Sequence, residues 1–250
     1  MAATSKKSSA KATKATITNR IHFADGNKGG VGKSFLARSL YQWFLDHETP
    51  VIGVEADVNS PDFKGIYTDV MLSQFSEDET LGARANSILN TAVESKKNIV
   101  VNLPATVHDA FKGWIHNYDI VNLAAENQIQ LVKWFVVTGE FDSSKSLEVS
   151  LKTFGRLIPH VVVRNQKFTE WEFYNESKSL QALIQETNSQ VIDLPKLPVR
   201  VASTLLKERL TFEAGRAYRA ERFGVVEQGA VRGYLRSAFA AMESTGYLPQ

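Results

Sequence analysis

The residues best suited to chemistry lie in one short run, Gly26-Asn27-Lys28-Gly29-Gly30-Val31-Gly32-Lys33-Ser34, set between two apolar stretches. Glycines in such a loop let backbone N–H groups close around phosphate oxygens, and a helix starting just behind adds positive potential. In that setting Lys33 would reach the β- and γ-phosphates, and the Ser34 hydroxyl would ligate Mg²⁺. The strict spacing G-x-x-x-x-G-K-[ST] is missed by one residue, because Asn27 stands where the first glycine belongs. The plainer alternative is a glycine-rich strand-to-helix turn with no ligand. The Gly32-Lys33-Ser34 tripeptide with further glycines ahead of it favours phosphate. Lys28, five residues before Lys33, is not explained by that spacing.

The elements around the loop must hold it. "ITNRIHFA" before it reads as a strand, and "SFLARSLYQWFLDH" behind it as a helix with Leu36, Leu40, Phe44 and Leu45 on one face. "PVIGVEA", "NIVVNLP", "QLVKWFVVT", "HVVVRN" and "QVIDLP" are further apolar strands. "LGARANSILNTAVESKK", "VHDAFKGWIHNYDIVNLAAE" and "SSKSLEVSLKTFGRL", the last capped by serine, read as helices between them. Helical sequence also separates the last two strands, and residues 199–244 are mostly helical with a break near Gly224. Near-continuous apolar strands alternating with helices predict a mostly parallel, twisted sheet covered on both faces. A single α/β domain over residues 18–250 is expected, with no internal repeat.

Composition narrows the function classes. Cysteine is absent, which removes disulfides, thiol catalysis, cysteine-ligated zinc and iron–sulfur clusters, and fits a reducing compartment. No apolar run approaches the roughly 20 residues that span a bilayer, and the lysines near the N-terminus have no apolar stretch behind them to make a secretory signal. A cytoplasmic location is expected. Residues 1–20 hold Lys6, Lys7, Lys11, Lys14 and Arg20 and no acid, so the net charge of +2 comes from this arm and the body is slightly acidic. Residues 1–17 are too poor in apolar side chains to offset ordering and read as a disordered basic arm, serving solubility or weak binding to an anionic partner.

"NKGGVGKS" resembles the deviant Walker A motif of the ParA/MinD family of P-loop ATPases, x-K-G-G-x-G-K-[ST], in which the first glycine is commonly replaced. The resemblance implies a P-loop NTPase fold and an ATP·Mg²⁺ site formed by Asn27, Lys28, Gly29, Gly30, Val31, Gly32, Lys33, Ser34 and Phe35. It makes Lys33 the lysine acting in cis and Lys28 the one that reaches the partner's nucleotide in an ATP-bound homodimer. "VIGVEADVNSPDF" is similar to the switch I segment, making Asp57 the residue that orients the attacking water and touches the metal through water, with Glu55 where an aspartate is usual. "NIVVNLPATVHDAF" is similar to switch II, where Pro104 and Ala105 match but Asn102 replaces the aspartate that holds a Mg²⁺-bound water. An amide there accepts a hydrogen bond but brings no charge, so slow turnover is expected, and Asn102→Asp should speed it. Asn165, ending "HVVVRN", stands where the family reads adenine through an amide, and "DLPKLPVRV" resembles the proline-containing loop near the base.

Beyond the nucleotide site, the segment from Leu205 to Phe239 carries a local excess of basic residues. In ParA-type members such helices bind DNA without sequence preference, which makes Lys207, Arg209, Arg216, Arg219 and Arg222 candidates. A solvated helix face with internal ion pairs is the plainer alternative. The five histidines have no metal-ligand spacing. Trp43, Trp114, Trp134 and Trp171 suit a core or an interface better than base stacking.

The resemblance implies an ATP-dependent dimerisation switch with a slow ATPase. It would position, segregate or transfer DNA in the manner of the shorter plasmid members that act in partition, stability or conjugation. Expected partners are a second copy, non-specific DNA with nucleoid association following from it, and a cargo protein. Alternatives are a nucleotide-binding adaptor with little or no hydrolysis, a MinD-like positioning ATPase held on a membrane by its C-terminal helix, and an ATP-dependent ligase or synthetase.

Overall fold

Seven strands form one sheet, and their order explains where the chemistry sits. The computed structural model describes residues 17–249. The basic arm expected over residues 1–17 lies outside the described residues but for Ile17. The strands are β1 (Asn19–Asp25), β2 (Val51–Glu55), β3 (Met71–Leu72), β4 (Asn98–Asn102), β5 (Ile129–Val137), β6 (His160–Asn165) and β7 (Gln190–Leu194). They are arranged β3-β2-β4-β1-β5-β6-β7, and every pairing is parallel. From β1 the chain runs out to β2 and β3, returns to insert β4 between β1 and β2, and then crosses to β5 on the other side. The crevice at the carboxyl end of β1, where the order switches direction, is where α/β sheets bind ligands.

The helices are α1 (Lys33–Asp46), α2 (Glu79–Gly82), α3 (Asn86–Ser95), α4 (His108–Asn117), α5 (Ile120–Glu126), α6 (Phe141–Phe154), α7 (Glu172–Glu176), α8 (Lys178–Glu186), α9 (Val199–Lys207), α10 (Phe212–Ala217) and α11 (Val225–Glu243). Alternation along the central strands feeds both faces of the sheet. Ala24, Val132, Trp134 and Val136 join α1, α9, α10 and α11 in one core, while Ile21, Phe23, Ile99 and Val101 face α3, α4 and α5 in another. A third cluster packs α6 and α8 on β5 and β6 through Phe135, Val137, Leu147, Leu151 and Leu180. The result is the expected single α/β domain of P-loop type.

Several local expectations are corrected. Leu36, Leu40 and Phe44 are buried as expected, but Leu45 is 44% exposed, because a helix turns about 100° from Phe44 to its neighbour. The segment expected as one helix over residues 107–126 breaks at Asp119, which adopts a left-handed conformation. Helix α6 starts at Phe141 with Glu140 at its N-cap and no side-chain cap, so serine does not cap it; Ser143 Oγ instead accepts from Thr138 N. Trp43, Trp114 and Trp134 are core residues. Helix α11 commits Val231, Tyr234, Leu235, Ala238 and Met242 to the core against α1, so its apolar face is not available to a membrane. Among the described residues no helix is long and apolar enough to cross one.

Candidate functional site

The loop between β1 and α1 is shaped by glycines used for different reasons. Gly30 and Gly32 have φ of +81° and +113°, a region that L side chains rarely adopt. A Cβ on Gly32 would also stand 2.7 Å from Asn165 Nδ2. At Gly29 and Gly30 an added Cβ would meet nothing within 4 Å, so open space faces this part of the loop. Lys33 opens α1, and its Nζ donates to the Lys28 carbonyl across the loop at 3.0 Å. The ammonium is thus drawn over the loop at the positive end of the helix, where a phosphate would sit. Burial lowers the Lys33 pKa, while Asp25 and Asp57 pull the other way.

Gly29, Gly30, Gly32, Lys33, Ser34, Phe35, Asp57 and Asn165 border one cleft of about 410 Å³. Its far wall is Pro195, Leu197, Val199, Ala202 and Leu206, so the proline-containing loop lies where a base would be enclosed. Asn27, Lys28, Val31 and Asn102 do not border this cleft. Asn165 has a structural task as well: Nδ2 donates to Val31 O at 2.7 Å and Oδ1 accepts from Lys167 N at 3.0 Å, tying the end of β6 to the loop. Asp57 caps its own turn through Ser60 N, which donates to Oδ1 at 3.1 Å, and its other oxygen makes no hydrogen bond among the described residues. A second hollow of about 460 Å³ adjoins along residues 58–66 and contains no phosphate-loop residue. The glycine geometry and the lysine, not size, mark out the first.

On the β4 side, Asn102 Nδ2 donates to Ser34 Oγ at 3.2 Å and to Glu55 Oε1 at 2.8 Å. Glu55 and Asn102 are both fully buried, and Asn102 Oδ1 has no partner among the described residues. Burial pushes the Glu55 carboxyl up, against hydrogen bonds from Asn102 and from the backbone of Asp57, Phe63 and Lys64. A buried carboxyl, that of Glu55, therefore stands next to Asn102.

On the β5 side, Lys28 Nζ pairs with Glu140 Oε2 at 2.8 Å, and Glu140 Oε2 also accepts from Thr138 Oγ1 at 3.1 Å. Glu140 follows Gly139, whose φ of +82° and close approach to Glu170 O admit no side chain. Beneath the loop, Asp25 Oδ1 accepts from Gly26 N at 2.7 Å and Oδ2 meets Lys133 Nζ at 2.9 Å. Lys133 lies 4.5 Å and 4.2 Å from the ring centres of Phe111 and Phe154.

Sequence reasoning missed Glu140, Lys133 and Arg38. Arg38 lines the cleft with 3% exposure, donates from Nη2 to Leu210 O at 3.2 Å, and lies 5.0 Å from the Phe212 ring centre, with Nε unpartnered. Its position one turn beyond Ser34 on the same helix face was the available signal.

The basic candidates differ in their surroundings. Arg216 pairs with Asp46 and with Glu213, and Arg232 donates to its carbonyl, so Arg216 belongs to the fold and is corrected as a free DNA contact. Lys207 contacts Glu208 at 3.5 Å, while Arg209, Arg219 and Arg222 are exposed. Among the described residues no group of three or more His, Asp or Glu side chains is placed to hold a metal by itself. The Ser34 hydroxyl, Asp57 and the orphan Asn102 oxygen suit Mg²⁺, which takes hard oxygen ligands and keeps several waters beside phosphates.

No protein-family model matches the chain. Protein MobD of Acidithiobacillus ferrooxidans is similar, 26% identical over 201 residues that span 78% of this chain and 86% of MobD. Among solved structures, the MinD cell division protein of Aquifex aeolicus is similar at 14% identity and a TM-score of 0.47, over 86% of this chain and 97% of MinD. The septum site-determining protein MinD of Pyrococcus horikoshii, complexed with Mg-ADP, is similar at 13% identity and 0.48, over 85% and 94%. Superpositions this loose carry no argument; the fold rests on the sheet order and the loop.

Proposed function

We propose that the chain is an ATP-dependent dimerisation switch of the ParA/MinD type, with an ATPase that is slow until two copies meet. One observation carries this reading. A phosphate loop holds Lys33 over its own carbonyl, while a second lysine, Lys28, stands outside the cleft on the exposed rim. A cation there adds little to its own site, and the exposed pair that ties it to Glu140 opens readily enough for it to serve another.

In this reading the Gly29–Ser34 backbone and Lys33 bind the phosphates, the apolar wall from Pro195 to Leu206 encloses the base, and Ser34 with Asp57 and Asn102 would hold Mg²⁺. The ion, when bound, neutralises phosphate charge and polarises the transferred group. The free oxygen of Asp57 orients the attacking water. Lys28 of each copy adds charge to the partner's phosphates only after the pair closes, which couples hydrolysis to assembly. While Lys28 is held by Glu140, that contribution is withheld and the single chain turns over slowly. The switch would position or transfer plasmid DNA, with a cargo protein as further partner, and the exposed Arg209, Arg219 and Arg222 would supply phosphate contacts for non-specific DNA binding.

Phosphate release tests the reading: the rate per chain should rise with protein concentration, and Lys28→Ala should remove that rise. A rate per chain independent of concentration contradicts it. DNA retardation should weaken steeply with salt and be lost when Arg219 and Arg222 are both changed to Glu; retention by that variant removes the arginines from the proposal.

A further inference from the structure

Three lysine and arginine residues are buried among the described residues: Lys33, Arg38 and Lys133. Lys133 has Asp25 at 2.9 Å, and Lys33 is drawn over the phosphate loop. Arg38 has neither an acid nor a task. It is 3% exposed and borders the nucleotide cleft, yet among the described residues no carboxylate pairs with it, although Asp57 and Asp62 border the same cleft. The groups around it carry no charge. Its guanidinium lies 5.8 Å from the Phe35 ring centre and 5.0 Å from that of Phe212, and Nη2 donates to Leu210 O at 3.2 Å. Nε is sealed without a partner, and Nη1 makes no hydrogen bond among the described residues. An arginine does not shed its proton when buried, and two ring faces with one carbonyl offset only part of the desolvation of a cation. A cation in that condition on a cleft wall asks for an anion from the ligand.

Its place in the cleft says which part of the ligand that is. Side chains on a helix lean toward its N-terminus, which brings the Arg38 guanidinium back to Phe35, the residue after Ser34. The phosphate loop lies at the start of the same helix, and the apolar wall from Pro195 to Leu206 faces it across the cleft. A nucleotide with its outer phosphates in the loop and its base on that wall carries its α-phosphate and ribose past Arg38. We infer that Arg38 binds a phosphate on the nucleoside side of the ligand, so that the cleft holds a second anion subsite beyond the phosphate loop. The α-phosphate of the nucleotide itself or a phosphate on its ribose supplies the same chemistry, a charge-assisted hydrogen bond in a place closed to water. The inference rests on the nucleotide reading above and deepens it.

Competition against a fluorescent ATP analogue tests the subsite without turnover. Adenosine, adenosine 5′-monophosphate and adenosine 3′,5′-bisphosphate are titrated as competitors into the wild type and Arg38→Met, a variant of similar length without the charge. If the α-phosphate is the source, the advantage of the monophosphate over adenosine should fall about tenfold or more in R38M, the worth of a charge-assisted contact. If a ribose phosphate is the source, the advantage of the bisphosphate over the monophosphate falls instead. A merely structural role weakens all three competitors alike and leaves both ratios as in the wild type, and that result overturns the inference. Should R38M be too unstable to titrate, Arg38→Gln, which keeps a donor for Leu210 O without the charge, must lower one of the ratios in the same way. Failure of both variants to fold marks Arg38 as a structural cation and overturns the inference. A wild type that binds no nucleotide overturns it together with the nucleotide reading; a wild type that binds, beside variants with unchanged ratios, overturns this inference alone.

Discussion

Asp25 and Lys133, beneath the loop between β1 and α1, meet at 2.9 Å with side chains 8% and 0% exposed, whereas Lys28 and Glu140, at its rim, meet at 2.8 Å with side chains 48% and 49% exposed. The distances are nearly equal and the environments are not. A pair sealed from water is expensive to break, because removing one partner strands the other charge. An exposed pair contributes at most about 1 kcal/mol and opens readily. The loop is thus set on a buried pair and carries at its edge a lysine whose only recorded ion pair among the described residues is exposed. Glu55 and Asn102 belong with the floor, since both are buried and joined by a hydrogen bond.

The floor should be the sensitive part of the molecule. Burial holds His22 on β1 and His160 on β6 neutral, each with its pKa lowered to about 3. In the unfolded chain an imidazole takes up a proton at its ordinary value of about 6.5. From about pH 6.5 down toward 3 the unfolded state binds more protons, so stability is complete above this window and falls with acidification. The slope is about 1.4 kcal/mol per pH unit for each histidine. Urea unfolding at pH 7, 6 and 5 reads this slope, and a flat profile would contradict the burial of both rings.

A smaller loss follows from Lys133→Met, which leaves Asp25 buried against the loop and should cost about 3–5 kcal/mol. Changing Asp25 to Asn in the same chain should return part of that, and equal losses in single and double variants would remove the pair from the account. Gly32→Ala comes next: its φ and the Asn165 amide leave no room for the methyl group, so about 1–3 kcal/mol of strain and loss of nucleotide affinity are expected together. At the rim, Glu140→Gln should change unfolding free energy by no more than about 0.5 kcal/mol. Its effect should be seen in assembly, where freeing Lys28 lowers the protein concentration at which ATP raises the rate per chain. Comparable stability losses for E140Q and K133M would erase the distinction between floor and rim.

Much of this was legible in the sequence. Strand–loop–helix order around Lys33 and Ser34 fixes the loop, because glycine spacing and apolar periodicity are local signals. The edge strand Met71–Leu72 was not legible, since two exposed residues show no alternation. The kink at Asp119 was hidden because apolar residues continue through it at helical spacing. The pairings that define the site were hidden for another reason. Glu55 meets Asn102, Lys28 meets Glu140 and Asp25 meets Lys133 across residues far apart in the chain. Asn102 alone reads as a lost charge. Only the register of β2 beside β4 reveals the buried carboxyl of Glu55 beside it.

The central claim is that Lys28 serves a second copy and not its own. Molar mass by light scattering after size exclusion, in ATP·Mg²⁺ and in ADP·Mg²⁺, tests it most directly on the wild type and Lys28→Ala. The account predicts a dimer for the wild type in ATP·Mg²⁺ alone, and a monomer for Lys28→Ala in both, although that variant still binds ATP. A wild type that stays monomeric in ATP·Mg²⁺, or a Lys28→Ala chain that dimerises as the wild type does, would contradict it.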